Sequence, residues 1–343
     1  MPISWKRYEY VTGQNDFVRV QPEYEAQIKQ FYEENPELAR QQFGDNPYEL
    51  KNILKYWVRN PEINIIPTDS IVITIDKEAV KRSKMLIADS TGQIPDHMVI
   101  SLSGRNVLYK PSLMMLEMLA NANWERPIYF ATTVGPDNFL GLERNFVQEG
   151  LAYRITPFDA FGNGMTVDVE KMYDNVMHKY KFGNLNKPGI YIDETTGHMC
   201  LSNRRMFAIL ADELVKKGDL KRAKEVLEKS DEVFPQSVVS YGDYIGGTTD
   251  LALAWSAVGN KAKAQEILTI FARTAEQYLN WYANYSAKPV QMSAYGCNRN
   301  MNNLYDAVLC LEKIGCSDLA KKYTAVFNSY YDRLNAAGVP LDL

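Results

Sequence analysis

One interval recurs three times towards the end of this 343-residue chain. A glycine precedes an alanine by five positions at Gly218 and Ala223, at Gly259 and Ala264, and at Gly315 and Ala320. Each glycine follows an apolar stripe at helical spacing. Phe207, Leu210, Ala211 and Leu214 form the first, Leu251, Ala252 and Trp255 the second, and Leu304, Ala307, Val308 and Leu311 the third. Glycine supplies the left-handed residue that ends one helix, and a small residue early in the next lets the two helices cross closely. The pattern therefore predicts antiparallel helical hairpins over 201–343, with no strand among them.

The stretch Phe207 to Pro235 has the spacing of a tetratricopeptide repeat. The turn glycines stand 41 and 56 residues apart. Those intervals exceed the usual ~34 and call for longer helices or insertions between units. In this register the first helix of each unit directs Arg205, Asp212, Lys216, Thr249, Asn302 and Tyr305 to the inner face, where such repeats commonly receive peptides. A second candidate is "YLNWYANY", whose Tyr278, Trp281, Tyr282 and Tyr285 share one helical face. Such a stripe packs between helices or stacks on sugar rings.

Upstream, residues 1–60 read as a helical arm. Pro22 opens a segment carrying Tyr24, Ile28 and Phe31; a second segment stops at Gly44. A third starts at Asn46-Pro47 and spaces Leu50, Ile53, Leu54 and Trp57 helically. The period changes at Pro61, and 61–200 reads as a mixed α/β domain. Ile71, Ile73 and Ile75 alternate, as do Met98, Ile100 and Leu102, and Ser103 to Asn106 reads as the turn to a partner strand at Val107 to Tyr109. A helix from Pro111, a helix over Val169 to Tyr180 and a short strand over Gly189 to Ile192 complete it. The expected fold class is α/β, a mixed sheet with helices, followed by an all-α helical-repeat domain.

The densest stretch is "RPIYFATTVGPDNFLGLERNFVQEGLAYRIT", Arg126 to Thr156. It reads as a strand, a Gly135-Pro136-Asp137-Asn138 turn, a helix over 139–149 and a second strand. Asp137 or Asn138 caps the helix and Gly150 stops it, while Glu143 and Glu149 lie on its solvated face. The same loop could bind an anion at the helix start. A phosphate loop would carry more glycine and a Lys or Arg there, so the cap is the better reading.

Charge and motif content exclude several classes. Thirty-eight basic and 42 acidic residues give a net charge of −4, and no basic stripe recommends a nucleic-acid partner. No run approaches the ~18–20 apolar residues that span a bilayer, and Met1 to Lys6 has no signal architecture. Cys200, Cys297, Cys310 and Cys316 form no framework, and His97, His178 and His198 do not converge. We therefore expect neither a metal nor a cofactor. Gly162-Asn163-Gly164 lacks the third glycine of a dinucleotide loop. No nucleophile with an adjacent base stands out, so no catalytic residue is assigned.

Three segments, "INIIPTDSIVITIDKEAV", "NWERPIYFATTVG" and "NFLGLERNFVQEGLAYRITP", carry a family resemblance. They resemble the soluble C-terminal region of bacterial multi-pass membrane proteins similar to protein O-mannosyltransferases, glycosyltransferases of the GT-C type. The resemblance implies that catalytic carboxylate and sugar donor site lie in an upstream membrane region. It further implies a module on the periplasmic face of the inner membrane, anchored through that region. Its partners would be a protein or peptide acceptor, or a glycan. The alternatives are a free-standing glycan- or peptide-binding protein and an enzyme with convergent carboxylates near Asp137. Asp69-Ser70-Ile71 and Asp89-Ser90-Thr91 also have the form of an O-glycosylation sequon.

Overall fold

A computed structural model describes residues 17–60, 62–85, 93–159, 166–187 and 189–342. The chain forms two compact units, 1–168 and 169–343. The Ser90 sequon and Gly162 to Gly164 lie outside the described residues.

The first unit begins with β1 (Phe17–Val20), α1 (Glu25–Glu34), α2 (Pro36–Phe43) and α3 (Leu50–Asn52), the last continued by a π-helical stretch over Ile53–Val58. Next come β2 (Ile65–Ile66), β3 (Ser70–Thr74), α4 (Lys77–Arg82), β4 (His97–Ser101), β5 (Val107–Tyr109) and α5 (Lys110–Ala122). The unit closes with β6 (Tyr129–Ala131), β7 (Phe146–Gln148), β8 (Ala152–Ile155) and β9 (Thr166–Val167).

The described strands form three small sheets rather than one mixed sheet, ordered β2-β1-β5, β3-β4 and β6-β8-β7-β9. The two alternating segments form strands as expected, and β3 pairs antiparallel with β4, a pairing the alternation did not specify, with Ile71 opposite Ile100 and Ile73 opposite Met98. The strand at Val107 also forms, but it does not return on β4. It pairs antiparallel with β1, Val18 opposite Leu108. Residues 17–60, expected as a helical arm, thus pack into the first unit and contribute a strand as well as helices. β1 is the centre of a sheet, and Leu50, Ile53, Leu54 and Val58 share one buried core with Ile71, Leu116 and Phe146.

The helix expected over 139–149 does not form. Leu140 and Gly141 have φ of +55° and +75°, and two successive left-handed residues cannot continue a right-handed helix. Short 3-10 turns at Pro136–Asn138 and Leu142–Asn145 replace it, and the chain then enters β7. Aromatic packing favours that outcome. Phe146 meets Phe139 edge-on at 5.0 Å and stacks on Tyr153 of β8 at 5.5 Å. Phe146, Val147 and Gln148 are all buried, so this strand is covered on both faces. Gly150, at φ +133°, shapes the β7–β8 turn instead of ending a helix. Asp137 and Asn138 cap no α-helix; the Asp137 carbonyl accepts from Arg105 at 3.3 Å.

Among its described residues the second unit has helices and no strand. It comprises α6 (Val169–Asp174, followed by a π-helical stretch over Asn175–Lys179), α7 (Glu194–Lys216), α8 (Leu220–Val233), α9 (Thr248–Ala257), α10 (Lys261–Ala283), α11 (Ala287–Met292), α12 (Ala294–Lys313) and α13 (Ser317–Ala336). Gly189 to Ile192 make no strand. Residues 169–200 belong with the helices: Phe182 packs on Phe207 and Phe234, each at 5.5 Å.

The hairpins α7/α8, α9/α10 and α12/α13 have one build. Gly218, Gly259 and Gly315 take φ of +77°, +89° and +70°. The next residue's N–H reaches back five positions, Asp219 to Leu214 at 2.9 Å, Asn260 to Trp255 at 2.9 Å and Cys316 to Leu311 at 2.8 Å. Each helix therefore ends in a Schellman motif. Ala223, Ala264 and Ala320 are buried where the paired helices cross. The 23-residue α10 and the added α11 account for the 56-residue interval, and the connection from α8 to α9, with its 3-10 turn at Tyr244–Gly246, for the 41-residue one.

Candidate functional site

Three helices of the second unit bring charged side chains to one face. Lys216 on α7 bridges Asp212 and Glu213, each at 2.8 Å, and these bonds hold its ammonium above the usual range. Asp250 on α9 is within electrostatic reach of Asp212, Arg205, Lys216 and Asp306. Asp250 is exposed as a residue, yet the crowding of its carboxyl by neighbouring helices, then repulsion from Asp212, lifts that carboxyl above the ordinary range, while Arg205 and Lys216 oppose that. Asp306 on α12 is raised in the same direction by its surroundings. The buried Cys310 thiol beneath is pushed up to about 11, chiefly by burial, and feels both aspartates.

The close approach of α7 and α9 depends on Gly247, at φ +67°. A Cβ there would meet the Ala208 Cβ at 3.0 Å and the Arg205 backbone at 3.5 Å. Arg205, Asp212 and Lys216 all lie on α7 within electrostatic reach of Asp250. Thr249 is half-buried beside Asp250, and Asn302 is exposed one turn before Asp306. Tyr305 leans instead onto Phe327 of α13, at 5.9 Å.

Asp250 and Asp306 were not singled out by the sequence, yet a signal was available. Both stand nine positions before a turn glycine, Gly259 and Gly315. The register chose Thr249 and Tyr305 instead, one residue earlier. One residue is about 100° of helical rotation, enough to move from this face to the neighbouring helix.

The aromatic stripe is a surface ledge formed by the last turns of α10, with Tyr285 just beyond the helix end. Tyr278, Trp281 and Tyr285 are 46%, 53% and 41% exposed. Trp281 holds Tyr282 and Tyr285 at 5.0 and 5.2 Å. Tyr282 alone is packed inward: a Cβ on Gly296 of α12 would clash with its phenol ring, so glycine is what lets the ring sit there. Inter-helix packing therefore explains one of the four residues.

In the first unit, Glu149 is not on a solvated face. It is 4% exposed, accepts from the Tyr129 hydroxyl at 2.7 Å and lies 3.6 Å from buried Arg154. Arg154 donates to the Ser83 carbonyl at 3.2 Å. Burial, then the bond to Glu149, pushes the Tyr129 phenol up to about 12. Asp137 and Glu143 are open to solvent, so these carboxylates do not form one site. Among the described residues no three His, Cys, Asp or Glu side chains are placed to hold a metal ion, and the four cysteines are free.

The class these features define is a two-unit protein: small sheets around one core, then helical hairpins bearing a mixed-charge face. The family model described as TMEM260-associated domain 2 matches residues 1–176, more than half of the chain, and the chain belongs to that family. The family is linked to TMEM260, an O-mannosyltransferase-like protein. Neither a curated protein nor a solved structure matches the chain. Among the described residues no helix is long and apolar enough to cross a membrane.

Proposed function

We propose that this chain is an extracytoplasmic, non-catalytic accessory region of a membrane-bound protein O-glycosyltransferase-like protein, and that its helical unit presents or selects protein acceptors. In this reading the three hairpins are tetratricopeptide-like repeats and the module stands at the periplasmic side of the inner membrane. What supports it is the joining, in one chain, of a TMEM260-associated domain to a charged face on which Asp250 and Asp306 hold equivalent positions of two successive hairpins, with Asp250 within electrostatic reach of Asp212 on the first. Repeat arrays use such rows to bind extended chains. Asp212, Asp250 and Asp306 favour a peptide carrying basic groups, by charge complementarity.

Two measurements test this. The genomic reading frame is expected to encode transmembrane helices upstream of this sequence; a frame without any overturns the reading. Fluorescence anisotropy with labelled acceptor peptides is expected to give binding that weakens at least ~10-fold in Asp250→Lys/Asp306→Lys, about 1.4 kcal/mol. Unchanged affinity in the double variant would remove the peptide-presenting role.

The exposure of Trp281 supports a second reading, a free-standing glycan-binding protein using the α10 ledge. It expects tryptophan fluorescence to change on adding oligosaccharides and the change to vanish in Trp281→Ala.

A further inference from the structure

The first unit holds a cleft of about 550 Å³ between α1 and the loop over residues 44–48. That volume falls in the range of small-molecule sites, roughly 300–1,000 Å³. α1 contributes Glu25, Lys29 and Tyr32, at helical positions i, i+4 and i+7, so one helix face forms one wall. The loop contributes Asp45, Asn46 and Tyr48.

The opposing wall is fixed by hydrogen bonds. Tyr32 Oη donates to the Gly44 carbonyl at 2.7 Å, and Asn52 Nδ2 to the Asn46 carbonyl at 2.8 Å. Asn46 Oδ1 accepts from the Tyr48 N–H at 3.0 Å. The Tyr48 carbonyl accepts from the Val72 N–H at 2.9 Å, and its hydroxyl donates to the Glu25 carbonyl at 3.3 Å. Gly44 sits at φ +82°, and a Cβ there would stand 2.5 Å from Asn52 Nδ2. On the helix side, buried Thr68 donates to Glu25 Oε1 at 2.6 Å and orients that carboxylate. A cleft held this way needs little reordering when a ligand arrives.

Its chemistry narrows the ligand. Both tyrosine hydroxyls are committed to backbone carbonyls, which leaves two immobilised rings as apolar surface. Carboxylates at Glu25 and Asp45 accept hydrogen bonds, while Lys29 and the Asn46 amide donate them. An anion would meet two carboxylates and one ammonium. A cation would meet Lys29 in the same wall. An apolar ligand would strip water from four polar side chains without replacing it. A neutral sugar offers C–H faces to rings and hydroxyls to both donors and acceptors.

We propose that this cleft binds a neutral saccharide, with Tyr32 and Tyr48 as ring platforms and Glu25, Lys29, Asp45 and Asn46 as hydroxyl partners. The site lies wholly in the first unit and does not rest on the acceptor-presenting role of the helical unit.

Saturation-transfer NMR on the full chain tests it, with maltose, cellobiose, di-N-acetylchitobiose and α-1,2-mannobiose as probes. At least one is expected to receive transfer at its ring C–H protons, with affinity at least ~10-fold weaker in Tyr32→Ala and in Asp45→Ala. Asp45 is exposed, and among the described residues its ion pair is a 4.0 Å contact with Arg40, so its removal is expected to leave the fold intact, and thermal melts verify this for each variant. Trp281→Ala and Asp250→Lys/Asp306→Lys are expected to keep the signal. Absence of transfer to every probe overturns the proposal, as does an affinity that is unchanged in Asp45→Ala or a signal that is lost in Trp281→Ala. A lysine-rich peptide that binds in an Asp45-dependent way assigns the cleft to a cation and overturns it too.

Discussion

Arg204 shows how much one buried side chain can organise. It is fully buried on α7 and stacks over the Tyr241 ring, 4.4 Å from its centroid. Its guanidinium donates to the carbonyls of Ser240 at 2.9 Å, Phe234 at 2.6 Å and Val239 at 2.5 Å. The connection from α8 to α9 is therefore tied to α7 by one residue. Tyr241 in turn donates to Asp231, which pairs with Lys263 of α10 at 3.3 Å. Burial lowers the Arg204 guanidinium from its usual range, a direction that the three carbonyls and the nearby Asp231 make tolerable. Arg204→Ala would leave three carbonyls without a donor and a void beside Tyr241. We expect a loss of roughly 3–5 kcal/mol, measured by urea unfolding. Neighbouring Arg205 is exposed, and Arg205→Ala should change stability by less than about 0.5 kcal/mol. Equal costs for the two would contradict this assignment.

Among the elements, the three hairpin turns make the most direct prediction. Nothing lies within 4 Å of a Cβ built on Gly218 or Gly259, so an alanine there meets no clash. Its cost is purely that of a left-handed backbone, about 1–2 kcal/mol for each of Gly218→Ala and Gly259→Ala. Ala264→Leu, by contrast, forces three extra carbons between α9 and α10 and should cost about 1–3 kcal/mol or more. Gly259→Asn should cost less than Gly259→Ala, because Asn tolerates this region, and thermal unfolding of the series checks the order.

The hairpins were legible because Schellman turns and close crossings demand particular residues at fixed offsets. β3 and β4 were legible as strands, since one slipped residue would turn Ile71 and Ile73 to the wrong face, but their pairing was not, because alternation does not name a strand's partner. The segment 139–149 was not. Its helical spacing of Phe139, Leu142 and Phe146 equally suits an aromatic cluster closed by β8, and only the left-handed Leu140 and Gly141 decide between them. The site was half legible for a related reason. Register placed Arg205, Asp212 and Lys216 within one helix, but it could not fix α9 and α12 to better than one residue. The α1 cleft left no mark, because Tyr32 and Tyr48 come together through the turn at Gly44, not through a period.

At the scale of the whole molecule, the tyrosines couple stability to alkaline pH. The chain has 22 of them. Burial, then the charge of Asp45, lifts Tyr32 to about 12. Burial and a bond to Glu149 at 2.7 Å lift Tyr129 to about 12, and burial and a bond to Glu225 at 2.6 Å do the same for Tyr173. The three lie in both units. An unfolded tyrosine ionises near its unperturbed value of about 10. Below that pH both states keep the phenol proton, and its contribution to stability is complete. Between about 10 and 12 the unfolded chain releases the proton first, so unfolding becomes easier with each step in pH. Above about 12 both states are ionised and the contribution is gone. Absorbance titration at the phenolate band should therefore show a main phase with a separate late phase, and the late phase should shrink in Tyr129→Phe and Tyr173→Phe. Urea midpoints of the parent chain should fall across the same window, and the double variant should fall less steeply. A parent chain whose tyrosines ionise in a single phase near 10 would show that these phenols are not held by Glu149 and Glu225.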